Sequence, residues 1–207
     1  MKNFLLLMVC LIPILFSKAQ AQTIPLLDGK TGIKGAYYKD LDNDLDQFVG
    51  TWKWVDGNSS LLIVIEKRIQ VYYPYGNLYK DVLIGGYQYI ENGISVVNTI
   101  PMMNNIYSSP YSYSIVGSSI LDSNDGPPCA ECLPTERRVR LFMDDPEREY
   151  IPVTITLRHY GGDISVPGQD PPEFIHMVMR SDSAILPTET SPTWIRVPRQ
   201  EYTLEKQ

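Results

Sequence analysis

After residue 34 the sequence never sustains a helical apolar period. It delivers instead nine or ten short β-type runs at roughly ten-residue spacing, most of them closed by a turn signal. The runs fall at 48–55, 61–65, 69–73, 81–90, 94–100, 111–121, 138–143, 150–159, 174–179 and 199–204. Asp56-Gly57-Asn58, Pro74 with Gly76-Asn77, Glu91-Asn92-Gly93 and Asp144-Asp145-Pro146-Glu147 punctuate them. Short hairpin turns make chain neighbours antiparallel, so the expectation is all-β: one antiparallel meander barrel of eight to ten strands over residues 35–207. Gly85-Gly86 inside the fourth run suggests a bulge or sharp curvature there.

The first run sets the core. Phe48, Gly50, Trp52 and Trp54 share one side at period two, and Val49, Thr51, Lys53 and Val55 the other. Two indoles on one strand face are a large apolar load that belongs inside. Gly50, between Phe48 and Trp52, marks a bend or a close crossing of another segment.

The chain begins Met1-Lys2-Asn3, runs apolar from 4 to 16 and exits through Ser17-Lys18-Ala19-Gln20-Ala21. A charged start, an apolar centre and a small-x-small exit form a secretory signal peptide over 1–21, with Gln22 as the new first residue. Lys18 ends the apolar run short of the roughly 20 residues a spanning helix needs. No later stretch is apolar enough to span. Cleavage leaves 186 residues, sufficient for one domain, with 16 basic against 24 acidic side chains, a net charge of −8. Such a balance argues against nucleic acid as partner. The product is expected outside the cytoplasm: periplasmic, on the outer surface or secreted.

Residues 22–34 carry no periodicity and read as a flexible tail. Asp40, Asp42, Asp44 and Asp46 then alternate in a way that invites a calcium loop. Leu45 stands where the turn glycine belongs, however, and Thr51 where the bidentate glutamate belongs. The plainer reading is a short helical turn over 41–47, capped by Asp40, with Leu41, Leu45 and Phe48 on one stripe.

With that turn ahead of Gly50-Thr51-Trp52, the chain resembles the lipocalin and calycin group, whose first barrel strand carries Gly-x-Trp. The blocks 45–54, Gly57-Asn58 and 86–93 together resemble an uncharacterised family of exported bacterial proteins, a domain of unknown function. The lipocalin likeness implies that Trp52 closes one barrel end beneath an arginine from the last strand. Arg196 and Arg199 are the candidates, one of them expected within about 6 Å of the Trp52 ring.

Chemistry-bearing motifs are few. Cys129-Ala130-Glu131-Cys132 sits among Pro127, Pro128 and Pro134. It reads as a small disulfide in an oxidising compartment, with a metal or redox role as alternatives. Only His159 and His176 carry imidazole, and His176 alternates on a strand so as to face outward. No nucleophile elbow or phosphate-cradling loop is present, so no catalytic residue, metal or cofactor is assigned and the protein is read as non-catalytic.

Two functions from different classes stay open. In one, a small apolar or amphipathic ligand sits in the barrel against Trp54, Tyr87, Tyr89, Tyr111 and Tyr113. In the other, the barrel is packed solid and its loops, chiefly 101–110 and 161–172, meet another protein. Eight strands enclose an interior that can be filled by side chains or hold one small ligand, so its contents separate the two.

Overall fold

The computed structural model describes residues 21–27, 32–161, 171–181 and 184–207. The segment read as a signal peptide and most of the 161–172 loop lie outside them. The strands are β1 (Thr23–Pro25), β2 (Tyr37–Lys39), β3 (Gly50–Asp56), β4 (Ser59–Tyr73), β5 (Leu78–Glu91) and β6 (Ile94–Asn98), followed by β7 (Ile115–Leu121), β8 (Arg138–Met143), β9 (Val153–Gly161), β10 (Glu173–Arg180) and β11 (Tyr202–Lys206). Eight of these close into an antiparallel barrel in the order β3-β4-β5-β7-β8-β9-β10-β11, β11 pairing back to β3. Every neighbour on this circuit follows in chain order, apart from β6, a flap that folds back on β5. The barrel is therefore the expected meander.

The register brings one face of each strand inward. Gly50, Trp52 and Trp54 lie opposite Ile65, Ile63 and Leu61, which lie opposite Gly85, Tyr87 and Tyr89. On the far wall Val139, Leu141 and Met143 lie opposite Leu157, Ile155 and Val153. These positions read as alternating apolar residues because each second side chain of a barrel strand must enter the core.

Both ends of the tube are shut. At one end Trp52 is fully buried and its Nε1 donates to Phe48 O at 2.9 Å. At the other, segments 144–151 and 194–200 cross the opening and bury Ile151, Ile195 and Val197.

Several expectations are corrected. The helical turn over 41–47 does not form. Asn43 takes a left-handed φ of 58°, and only a three-residue 3-10 helix, Asp46–Phe48, follows. Asp40 is not a helix cap; its carboxylate accepts from Asp44 N and Leu45 N, and Leu41 stays exposed rather than joining Leu45 and Phe48. Within the stretch read as a tail, Thr23–Pro25 pairs in parallel with β2. The runs 61–65 and 69–73 are one strand, interrupted by a register shift between Arg68 and Val71.

Gly85-Gly86 holds no bulge, since both residues stay in register with β4. Gly86 serves a close crossing instead: a Cβ there would meet Ile100 Cα at 2.9 Å and Thr99 O at 3.0 Å. Gly50 has φ 141°, a conformation closed to most side chains, and this lets β3 start directly after the 3-10 helix.

Candidate functional site

Five aromatic residues were expected to form one ligand wall, and the barrel divides them. Trp54, Tyr87 and Tyr89 share the inner face. Trp54 meets Tyr202 edge-on at 5.0 Å, and Tyr87 is buried with its hydroxyl donating to Asp144 O at 3.1 Å. Burial is the first cause that pushes the Tyr87 phenol well above its ordinary range, with Asp145 adding to it. Tyr111 and Tyr113 stand outside, on and just after the 3-10 helix Pro110–Ser112 that precedes β7. Tyr111 meets Tyr73 edge-on at 5.2 Å, and Tyr113 meets Tyr107 at 4.9 Å.

Tyr87 and Tyr89 are buried, and half-buried Trp54 borders an open surface cleft beside Lys53, Val55 and Phe174 rather than an interior cavity. A void wide enough for water would leave accessible area on the side chains around it. Leu61, Ile63, Leu141, Ile155, Leu157 and Met177 have none. Along its middle the barrel is solid.

The expected arginine over Trp52 is also corrected. Lys206 Nζ lies 5.5 Å from the Trp52 ring, and the His159 ring meets its edge at 6.0 Å. Lys206 and His159 both bond Glu173 Oε2, at 2.8 and 3.1 Å. The Lys206 bond is the main reason the Glu173 carboxyl sits below its ordinary range. The reason for the exchange is strand direction. Lys206 lies opposite Trp52 in the ladder, whereas Arg196 and Arg199 precede the start of β11 at the other end.

Arg199 stacks on Trp194, 5.0 Å from the ring. Arg196 clasps Asp145, whose side chain has no exposure: Nη2 reaches Oδ1 at 2.6 Å and the backbone N reaches Oδ2 at 2.9 Å. Its Nη1 adds Glu147 Oε1 at 2.6 Å and Val96 O at 3.1 Å. Burial works against charge on Asp145, and the Arg196 bonds outweigh it, so its carboxyl stays below the usual range.

The open surface lies elsewhere. β4 runs past its last pairing with β3, Ile65 opposite Gly50, so among the described residues 66–70 has no partner on that edge. Buried Asp81 shapes this overhang. It accepts from Gln70 N at 2.9 Å, Tyr37 Oη at 2.6 Å and Asp40 N at 3.0 Å, holding Gln70 at φ 53° and leaving Ile69 72 % exposed. Lys67 is tethered inward to Asp40 and Asp46 at 2.8 and 2.6 Å.

Facing the overhang, the 99–114 segment crosses β5 at Gly86, pinned where Tyr87 N donates to Thr99 Oγ1 at 2.9 Å. Between them opens a groove of about 530 Å³, with Val71, Ile84, Tyr72, Tyr107, Tyr113 and Pro110 along it and Arg68 among its walls. Of the five aromatics named from sequence, Tyr113 belongs to this groove and Tyr111 lines a separate cleft with Asp144 and Glu149. Asp81 and the overhang gave no sequence signal beyond an acid within an apolar strand pattern.

The other motifs are placed simply. Cys129 and Cys132 form a disulfide. Among the described residues no three His, Cys, Asp or Glu side chains converge as a metal would need, and Asp40 and Asp46 are committed to Lys67. His176 faces outward and meets Glu201 at 3.1 Å. Among the described residues no helix is long and apolar enough to cross a membrane.

The chain belongs to a family of unknown function, DUF6705, whose family model matches residues 1–207. No curated protein and no solved structure matches it.

Proposed function

We propose that this member of the family is an exported, non-catalytic interaction domain. Its barrel is a filled scaffold, and its working surface is the tyrosine groove between the β4 overhang and the 99–114 segment. The observation that carries this reading is the solid interior: with inner-facing side chains occupying the tube, an apolar ligand has no room there. The groove supplies what the interior lacks. It combines aromatic faces, an apolar floor and, beside them, a strand edge with unpaired backbone groups. An extended segment of a partner protein suits that combination, pairing with 66–70 and setting alternate side chains against Tyr72 and Tyr107. Ile69 and Ile106, both strongly exposed beside the groove, favour the same occupant. The signal-like N-terminus and the disulfide support export.

The test places a photo-crosslinking amino acid at Ile106, and at Ile94 in the β6 turn as control, in the native host. A discrete adduct at 106, absent at 94 and lost when Ile69→Asp is added, supports the reading. Native mass spectrometry finding one small molecule per chain, with no position-dependent adduct, overturns it.

A further inference from the structure

A second cavity, of about 280 Å³, lies on the opposite wall, over the outer face of β8, β9 and β10 and beneath the disulfide loop. Arg138 on β8 stands opposite Arg158 on β9, which stands opposite His176 on β10. Neighbouring cations on adjacent strands repel unless each is neutralised. Arg158 is: it pairs with Glu136 and, at 3.3 Å, with Glu131.

Arg138 is treated differently. It is only 3 % exposed, yet among the described residues no carboxylate lies within ion-pair distance. Its Nη1 donates to Pro127 O at 2.6 Å, and its Nη2 to Asp122 O and Asp125 O, both at 2.8 Å. Its Nε is buried without any partner. Backbone carbonyls satisfy hydrogens but do not cancel a charge, and a buried charge is costly until something of opposite sign sits nearby. Arg180, on the same outer face, also lines the cavity and has no ion pair among the described residues. The two carboxylates lining it, Glu131 and Glu201, have side chains 85 % and 69 % exposed, so water screens them.

We propose that this cavity is a binding site for a small oxyanion, a carboxylate or a phosphate, held by Arg138 and Arg180 under the loop that the Cys129–Cys132 bond closes. A guanidinium matches either group in shape as well as charge. The lid is pinned by the same residue that attracts the ligand, because Arg138 holds the carbonyls of 122–127. The site is independent of the tyrosine groove and stands or falls separately from it.

The test uses the mature chain, labelled with nitrogen-15, titrated at constant ionic strength with inorganic phosphate in one arm and succinate in the other. The Arg138 Nε–Hε resonance and calorimetry are the readouts. Saturable binding is expected with a Kd below about 1 mM in one arm, and that arm identifies the anion class. Arg180→Gln, at a position that leaves the loop pins intact, should weaken binding at least tenfold with an unchanged melting temperature. No saturation in either arm up to roughly 10 mM overturns the site. So does an equal affinity in Arg180→Gln, or equal displacement by chloride, which would mark an adventitious ion only.

Discussion

Asp145 and Lys206 show how differently two ion pairs can matter. Replacing Arg196 with Met strands a carboxylate that has no exposure, and a loss of about 3–5 kcal/mol is expected in urea unfolding. Lys206→Met removes a pair whose side chains are each about one-third exposed, so solvent screening keeps its cost below ~1 kcal/mol. Asp145 also fixes a pH dependence. Its folded carboxyl titrates below the ordinary value of 3.8, so its contribution is complete above that value and drains away as pH falls through the folded one. Asp145→Asn should therefore flatten the acid limb of the stability curve below about pH 4, leaving the neutral plateau lower but level. Trp52 was legible from alternation alone, because an indole on a strand has few places to go. Asp145 was not: in sequence it is one acid in an acidic turn, and only the return of 194–200 across the tube gives it a partner.

Elements were legible where alternation was clean and misplaced where side-chain chemistry bends the backbone. The strand at 138–143 matches β8 to the residue. The split expected between 65 and 69 is instead the Asp81-held irregularity in β4, a long-range effect with no local signature. The arginine expectation failed because the closing strand starts at Tyr202, three residues after the expected start at 199, carrying Lys206 to the indole. Gly86→Ala should cost about 1–3 kcal/mol by pushing the 99–104 segment off β5, seen as lost amide protection at Thr99 and Tyr87. The Cys129–Cys132 bond closes so short a loop that its removal is expected to cost at most about 2 kcal/mol, measured as the shift in unfolding midpoint on adding reductant.

At the scale of the molecule, the meander was readable because, apart from β5–β7, which passes over the β6 flap, and the closing β11–β3 pair, each barrel pairing joins consecutive strands, so most turn signals also state a contact. What fills the tube was not readable: alternation says which face points inward, never whether the inward side chains meet in the middle. An apolar fluorescent probe such as N-phenyl-1-naphthylamine should find no stoichiometric interior site, its titration staying linear through equivalence, and a saturating one-to-one curve would refute the solid barrel. Among the described residues only the pairing of β11 with β3, extended by Gln207 N bonding Thr51 O at 2.9 Å, joins distant ends of the sequence. A polypeptide threaded N-terminus first through a narrow pore therefore cannot complete its cylinder in transit. For a chain so threaded the seam would wait for the stave that emerges last, and passage and closure would be separated in time by the order in which the strands were written.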